Sequence, residues 1–174
     1  MAAFGREQLG VNVQAGTLET LSQVFPDRTY DLVSMIQVLP HFYDLHQALR
    51  SAAAVTREGG HWLIETWNRD SLSAKILGSH WHEYSPPSVL HWFSPQDLQL
   101  LARQYGFEVV AQGRPQKWIK GSHVKSLLAY KFDTLPGGRS VKAFLKAFLR
   151  LIPDRLQLPY PSEDLFWMLF KKVQ

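Results

Sequence analysis

Hydrophobic and polar positions along this chain follow two periods, one of about two residues and one of about 3.6. Strands are predicted where apolar residues alternate or run together, bounded by glycine and polar turns. The run at residues 31–36 is almost unbroken and predicts a strand buried on both faces. The predicted strands span residues 11–15, 30–36, 61–66, 107–111 and 165–172.

Helices are predicted between these strands by capping residues and by apolar stripes. Asp44 is the expected N-cap of a helix over His46–Thr56, which ends before the Gly59-Gly60 pair. A second helix begins with Ser94 as its N-cap and Pro95 at the first position. Strands that alternate with helices indicate an α/β fold with a mainly parallel sheet.

The last third of the chain has a different pattern. Helices are predicted over Val124–Phe132 and Val141–Ile152, with a proline- and glycine-containing turn between them. Apolar and basic residues fall on opposite sides of the segment 139–152, as in a helix lying on a membrane surface. The same pattern is typical of a surface helix packed on a core, so peripheral membrane contact is one of two interpretations.

Composition adds limits to this outline. The 174 residues include no cysteine, which excludes a disulfide scaffold and a zinc–thiolate site and suits a cytoplasmic protein. Before residue 100 there are 6 Lys and Arg against 10 Asp and Glu; from residue 100 onwards there are 13 against 5. The basic segment 117–150 therefore faces either an anionic partner or solvent.

Five short stretches together resemble the class I S-adenosylmethionine-dependent methyltransferases that act on small molecules. They are FPDRTYDLV at 25–33, VLPH at 38–41, REGGHWLI at 57–64, HWFSP at 91–95 and YGF at 105–107. The resemblance implies a Rossmann-like sheet that is mostly parallel, with an antiparallel last strand at 165–172. Its organisation would be a single domain over 1–174, with an acceptor-binding cap at 67–93 and a helical insertion at 114–162.

The resemblance also implies segments that do not occur in this sequence. Relatives begin with a strand, a glycine-rich cofactor loop, a helix and a second strand. None of the 11 glycines here lies in a GxGxG pattern after a strand. We therefore expect the chain to be the C-terminal two-thirds of the fold, truncated at its N-terminus and without the first two strands.

By resemblance, the function is methyl transfer from S-adenosylmethionine to a small acceptor, which could be aromatic, lipid-like or glycan. The alternative is a non-catalytic interaction subunit that does not bind the cofactor. Nucleic acid is not an expected partner, because no RNA-binding motif accompanies the basic segment.

Cofactor contacts are expected at two places near the carboxyl ends of strands, where open α/β sheets bind ligands. One place follows the strand predicted at 11–15, and the other ends the strand at 30–36. The six residues that the resemblance assigns to the cofactor are Gly16, Thr17, Leu18, Ile36, Gln37 and Val38.

A dense group of aromatic residues and histidines follows the strand at 61–66 and is predicted to bind the acceptor. Its members are Trp67, Arg69, His80, Trp81, His82, Tyr84 and Trp92. His41 and His91 are the candidate catalytic residues, since imidazole can act as a base near neutral pH. Gln37, Tyr84 and His91 are expected to line one cleft with Trp67, Arg69 and Trp81. No metal is expected, because His80 and His82 have no third ligand nearby. The alternative is that the aromatic residues only pack the cap onto the sheet.

Assembly is the last expectation. If two strands are missing beside residues 30–36, that strand has an unpaired edge, and such edges pair with other chains. We therefore expect a homo-oligomer or a partner chain that covers this edge.

Overall fold

A computed structural model describes residues 2–21, 29–116, 118–134, 149, 153–159 and 163–173. Two compact units are present. The larger consists of Met1–Arg114 with Glu163–Gln174, and the smaller of Pro115–Ser162. The single-domain organisation and its two insertions stay predictions.

The larger unit is an α/β layer structure. Its helices are α1 (Ala2–Leu9), α2 (Leu45–Ala54), α3 (Leu72–Leu77) and α4 (Pro95–Arg103). Its strands are β1 (Tyr30–Ile36), β2 (Thr56–Trp67), β3 (Phe107–Gly113) and β6 (Leu165–Lys172). Single 3₁₀ turns lie at Leu18–Thr20, Leu39–His41 and Gly78–His80.

The four strands form one sheet in the order β1-β2-β6-β3. β1 and β2 are parallel, whereas β6 runs antiparallel to both β2 and β3. The predicted α/β class with an antiparallel last strand is therefore confirmed, as are the strands at 30–36, 61–66, 107–111 and 165–172.

The core of this unit lies between the sheet and helices α2 and α4. Leu49 of α2 and Leu98 of α4 are fully buried in the same cluster as Trp62 and Phe107 of the sheet. The rings of Trp62 and Phe107 stack with their centroids 3.7 Å apart. The Trp62 indole Nε1 also donates a 3.0 Å hydrogen bond to Thr56 Oγ1, so its polar atom is satisfied inside the core.

One face of β1 is exposed, so the prediction of a strand buried on both faces is wrong. Met35 is 1% exposed, whereas Leu32 and Ile36 on the opposite face are 51% and 45% exposed. The buried face is the one that joins the core cluster with α2 and α4. β1 is also an edge strand of the sheet. A partner chain at this edge stays a prediction.

The strand predicted at residues 11–15 does not form. The segment is irregular, with the Val11 N–H donating to Gly5 O and the Arg6 guanidinium donating to Val13 O. Within the described residues no neighbouring strand accepts its backbone hydrogen bonds, and an unpaired strand is not stable in water.

Helix α2 is shorter than predicted and β2 is longer. Asp44 is the N-cap as expected, and its carboxylate accepts the Gln47 N–H. The helix nevertheless ends at Ala54, because β2 begins at Thr56 and continues through the glycine pair. Gly59 has φ +71° and lies within that strand instead of ending the helix. α4 begins with the predicted Ser94 cap, whose Oγ accepts the Asp97 N–H while the Asp97 carboxylate accepts the Ser94 N–H.

The smaller unit contains β4 (Trp118–Lys120), α5 (Gly121–Thr134) and β5 (Gln157–Pro159). β4 and β5 pair antiparallel, and Lys125 Nζ lies 2.8 Å from Asp154 Oδ1. α5 confirms the helix predicted over 124–132. The helix predicted over 141–152, and with it the membrane-contact interpretation of 139–152, lies outside the described residues apart from residue 149. No helix in the described ranges is long and apolar enough to cross a bilayer.

Candidate active site

The carboxyl end of β1 is tied to β2 by one glutamine. Gln37 has an unusual φ of +55°, and its N–H donates to Glu65 O at 2.8 Å. Its side-chain Nε2 also donates to Glu65 Oε1 at 3.0 Å. Glu65 is buried, so this polar pair fixes the turn that leads away from β1.

The six predicted cofactor residues fall into two groups. Gly16, Thr17 and Leu18 border a cavity of about 220 Å³. The turn that carries them is held on α2, because Glu19 O accepts hydrogen bonds from Gln47 and Ser51. Ile36, Gln37 and Val38 lie instead at the end of β1, and Ile36 borders a second cavity of about 300 Å³ with Leu63, Glu65 and Trp167. Their roles toward a cofactor stay predictions.

The chain leaving β2 is held by two neighbouring segments. Asn68 N–H donates to Asp164 O at 2.6 Å, and Arg69 N–H donates to Phe93 O at 2.9 Å. The Arg69 guanidinium also pairs with Asp97 at the start of α4, with Nε 3.1 Å from the carboxylate. The Arg69 guanidinium is therefore held at the start of α4.

Five residues at the end of β2, in the cap and directly before β6 form an acidic, imidazole-containing group that we call the His82 cluster: Trp67, Trp81, His82, Glu83 and Asp164. The buried Trp81 donates from Nε1 to Asp164 Oδ2 at 3.1 Å. The His82 ring meets Trp67 edge-on, with centroids 4.5 Å apart. Three residues predicted to bind the acceptor are thus brought together.

Both ring nitrogens of His82 face carboxylates. Nδ1 lies 3.9 Å from Asp164 Oδ2, and Nε2 lies 3.6 Å from Glu83 Oε1. Burial raises the pKa of Glu83 above its usual range; His82 and His41 oppose this shift and Asp164 adds to it. The site therefore combines an imidazole with one carboxylate that is more easily protonated than usual.

Tyr84 and Trp92 stack on each other beside this cluster. Their ring centroids are 5.1 Å apart, and Trp92 Nε1 donates to the Glu83 backbone carbonyl at 2.8 Å. His80 is exposed at the end of a 3₁₀ turn. No group of three or more His, Asp or Glu in the described part of the chain is arranged to hold a metal ion.

His41 and His91 both connect the turn after β1 to the cap. His41 Nδ1 lies 2.6 Å from Ser88 O, and His91 Nε2 lies 3.0 Å from Phe42 O. Leu90 N–H adds a 2.9 Å bond to Pro40 O. These contacts give both histidines a structural role. Their catalytic role remains a prediction, as does the single cleft expected to be lined by Gln37, His91 and the aromatic residues.

Sequence reasoning did not single out Glu83, Glu163 or Asp164. Glu83 lies in the run His-Trp-His-Glu-Tyr. A carboxylate beside two histidines was the feature of the sequence that could have marked it as a site residue. Glu163 and Asp164 directly precede β6, and they lie 90 and 83 residues from their partners Ser73 and Trp81. Only the antiparallel pairing of β6 with β2 brings them to the cap.

Glu163 binds the first turn of α3. Its carboxylate accepts hydrogen bonds from Leu72 N–H, Ser73 N–H and Ser73 Oγ at 2.6, 3.2 and 2.7 Å. It also borders a cavity of about 310 Å³ together with Asn68, Gln112, Arg114 and Trp167. Glu163 therefore links the start of β6 to the cap.

We expect Glu163→Gln to reduce the acid sensitivity of the fold. The Ser73 hydroxyl bond is the largest cause that lowers the pKa of Glu163 below its ordinary value of 4.5. A carboxylate whose pKa is lowered by folding stabilises the protein at pH values above its unfolded-state pKa. This stabilisation is lost as the pH falls through the folded-state pKa. Urea midpoints measured at pH 7 and pH 3 should differ less in Glu163→Gln than in wild type, and an equal difference would contradict the assignment.

The comparisons with known proteins agree with this architecture. A family model described as a methyltransferase domain matches residues 7–112. The chain belongs to this methyltransferase domain family.

Relatives and solved structures extend the comparison. The ubiquinone biosynthesis O-methyltransferase of Bordetella avium (strain 197N) is 32% identical over 45% of this chain and 35% of that protein. The chain thus spans about a third of the length of that curated relative.

Among solved structures, a SAM-dependent methyltransferase from Thermotoga maritima has a TM-score of 0.56 and is 19% identical. The match covers 99% of this chain and 69% of the Thermotoga chain. A SAM-dependent methyltransferase from Archaeoglobus fulgidus has a TM-score of 0.53 and is 18% identical. The match covers 92% of this chain and 66% of the Archaeoglobus chain. Both show the shared Rossmann-like methyltransferase fold.

Proposed function

We propose that the protein is an enzyme that transfers a methyl group from S-adenosylmethionine to a hydroxyl of a small aromatic acceptor. The observation that carries this proposal is the family match over 7–112, the stretch that holds both the β1 turn and the cap. The hydroxyl is favoured by the likeness to an O-methyltransferase. An aromatic acceptor is favoured over a lipid or glycan by the exposed Tyr84 ring and the half-buried Trp67 and Trp92 rings around His82.

The residues present fit part of the cofactor. The 220 Å³ cavity has small and apolar walls at Ala15, Gly16 and Leu18, and it suits a flat purine. Thr17 in the same wall can hydrogen-bond a ring nitrogen. The turn at Gln37 and the exposed Ile36 and Val38 fit the methionine end. When bound, the cofactor supplies a methyl group on a positively charged sulfur.

The chain's own residues act mainly by holding the acceptor. Gln37 and Glu65 fix the turn at the end of β1, and Trp81 fixes the cap against Asp164. Aligning two reactants in this way can account for several kcal/mol of a reaction barrier. A base near the acceptor hydroxyl would add about 10²–10⁴-fold.

Calorimetry with S-adenosylhomocysteine tests the proposal directly. We expect the wild-type protein to give a binding isotherm. Gly16→Phe should weaken the affinity by at least about tenfold, or about 1.4 kcal/mol, because the phenyl ring would fill the cavity. A Cβ at Gly16 meets no heavy atom within 4 Å, so the fold should tolerate the change. Leu100→Ala, on the exposed side of α4, is the matched control. No heat with wild-type protein at millimolar ligand would refute cofactor binding.

A further inference from the structure

We infer that His82 takes the proton from the acceptor hydroxyl, and that Asp164 stabilises the imidazolium that forms. This inference rests on the proposed function and adds a residue assignment that the candidates His41 and His91 did not include. It concerns the acceptor side alone and is tested separately from cofactor binding.

The His82 ring is accessible to a ligand. About half of its side chain is exposed, at 48%. Its nitrogens lie 3.6 and 3.9 Å from carboxylate oxygens, which is within reach of charge attraction but too far for a hydrogen bond. Within the described residues neither nitrogen is engaged in a hydrogen bond. An incoming hydroxyl can therefore reach a nitrogen of the His82 ring. In His41 and His91, by contrast, one ring nitrogen already bonds a backbone carbonyl.

Asp164 is held in place by hydrogen bonds within the protein. Its side chain is 8% exposed and accepts the Trp81 indole N–H, while its backbone carbonyl accepts Asn68 N–H. A buried carboxylate held in this way favours a positive charge on the imidazole beside it. At 3.9 Å from Nδ1, the Asp164 carboxylate acts on the His82 ring by charge attraction and not by a hydrogen bond.

Other charged and aromatic groups surround the His82 ring. Glu83 faces Nε2 from the same loop, and His41 acts on Glu83 from the turn after β1. Because burial raises the pKa of Glu83, this carboxyl can receive the proton from His82 and pass it to water. Trp67 supports the ring edge-on, and exposed Tyr84 with Trp92 offers a flat surface for an aromatic acceptor.

The reaction then balances without a further reagent. The acceptor O–H bond breaks, and its proton moves to His82 Nε2. The oxygen lone pair forms the new O–CH₃ bond as the methyl–sulfur bond breaks, and that electron pair stays on sulfur. Imidazolium loses the proton to solvent directly or through Glu83.

The test uses catechol as the phenolic probe and does not depend on turnover. Catechol binding is followed by tryptophan fluorescence quenching from about pH 8 to about pH 5, the range in which imidazoles gain a proton. In wild type we expect the Kd to rise by about tenfold as the pH falls, since a protonated ring cannot accept the phenol hydrogen bond. In His82→Gln we expect weaker catechol binding, with a Kd that does not change with pH.

Matched variants decide between His82 and its neighbours. His46→Gln removes another exposed histidine, on α2, and should keep the wild-type profile. Asp164→Asn removes the negative charge beside His82 Nδ1, so it should weaken catechol binding at pH 8. The inference is overturned if wild type does not bind catechol, if His82→Gln keeps the pH dependence, or if His41→Gln or Glu83→Gln abolishes it instead.

Discussion

Replacing Trp62 by alanine should lower the free energy of unfolding by about 3–5 kcal/mol. Trp62 is completely buried, stacks on Phe107 and has its indole N–H bonded to Thr56. The substitution leaves a large cavity between the sheet and its helices, which such a well-packed core cannot fill. Thr56 Oγ1 keeps its bond to Ala52 O, so the loss comes mainly from packing.

Urea unfolding followed by far-UV circular dichroism measures this loss. The matched control is Trp118→Ala, since Trp118 is 63% exposed and should change stability by no more than about 0.5 kcal/mol. Equal effects of the two substitutions would show that Trp62 is not part of the core that holds β2 against the helices.

Asp164→Ala should have the second largest effect, a loss of about 1–3 kcal/mol. The substitution leaves the indole N–H of Trp81 buried without its acceptor, and Trp81 is only 5% exposed. Asp164→Asn retains an oxygen that can accept this hydrogen bond, so it should lose clearly less. Both variants keep the Asn68 N–H bond, because that bond is made by the backbone.

The measurement combines urea midpoints with near-UV circular dichroism, which reports the fixed environment of Trp81. Alanine should reduce the near-UV signal more than asparagine does. Similar losses of stability in both variants would mean that the charge of Asp164, not its hydrogen bond to Trp81, holds the cap.

The order of strands and helices could be predicted from sequence because local signals were strong. Ser94 with Pro95 marked the start of α4, and unbroken apolar runs marked β1 and β6. The segment 11–15 misled because alternation indicates only a tendency to be extended, and a strand also needs a partner. The end of α2 was misplaced because Gly59 occurs with φ +71° inside β2, where a glycine pair usually signals the end of a helix.

The aromatic and histidine part of the site was visible in sequence because it is contiguous. Its acidic part was not, since Asp164 reaches His82 only through the pairing of Leu165 with Trp67. The one-sided burial of β1 was equally hidden, because Leu32 and Met35 look alike in a hydrophobic run although they differ in exposure.

The pairing of Gly113 in β3 with Trp167 in β6 has a practical consequence for protein engineering. A β-carbon at Gly113 would come within 2.9 Å of the Trp167 indole, so that ring must move if residue 113 gains a side chain. Trp167 borders both the 300 Å³ and the 310 Å³ cavities. A library at position 113 alone could therefore reshape two neighbouring binding volumes while leaving every ionisable group of the protein in place.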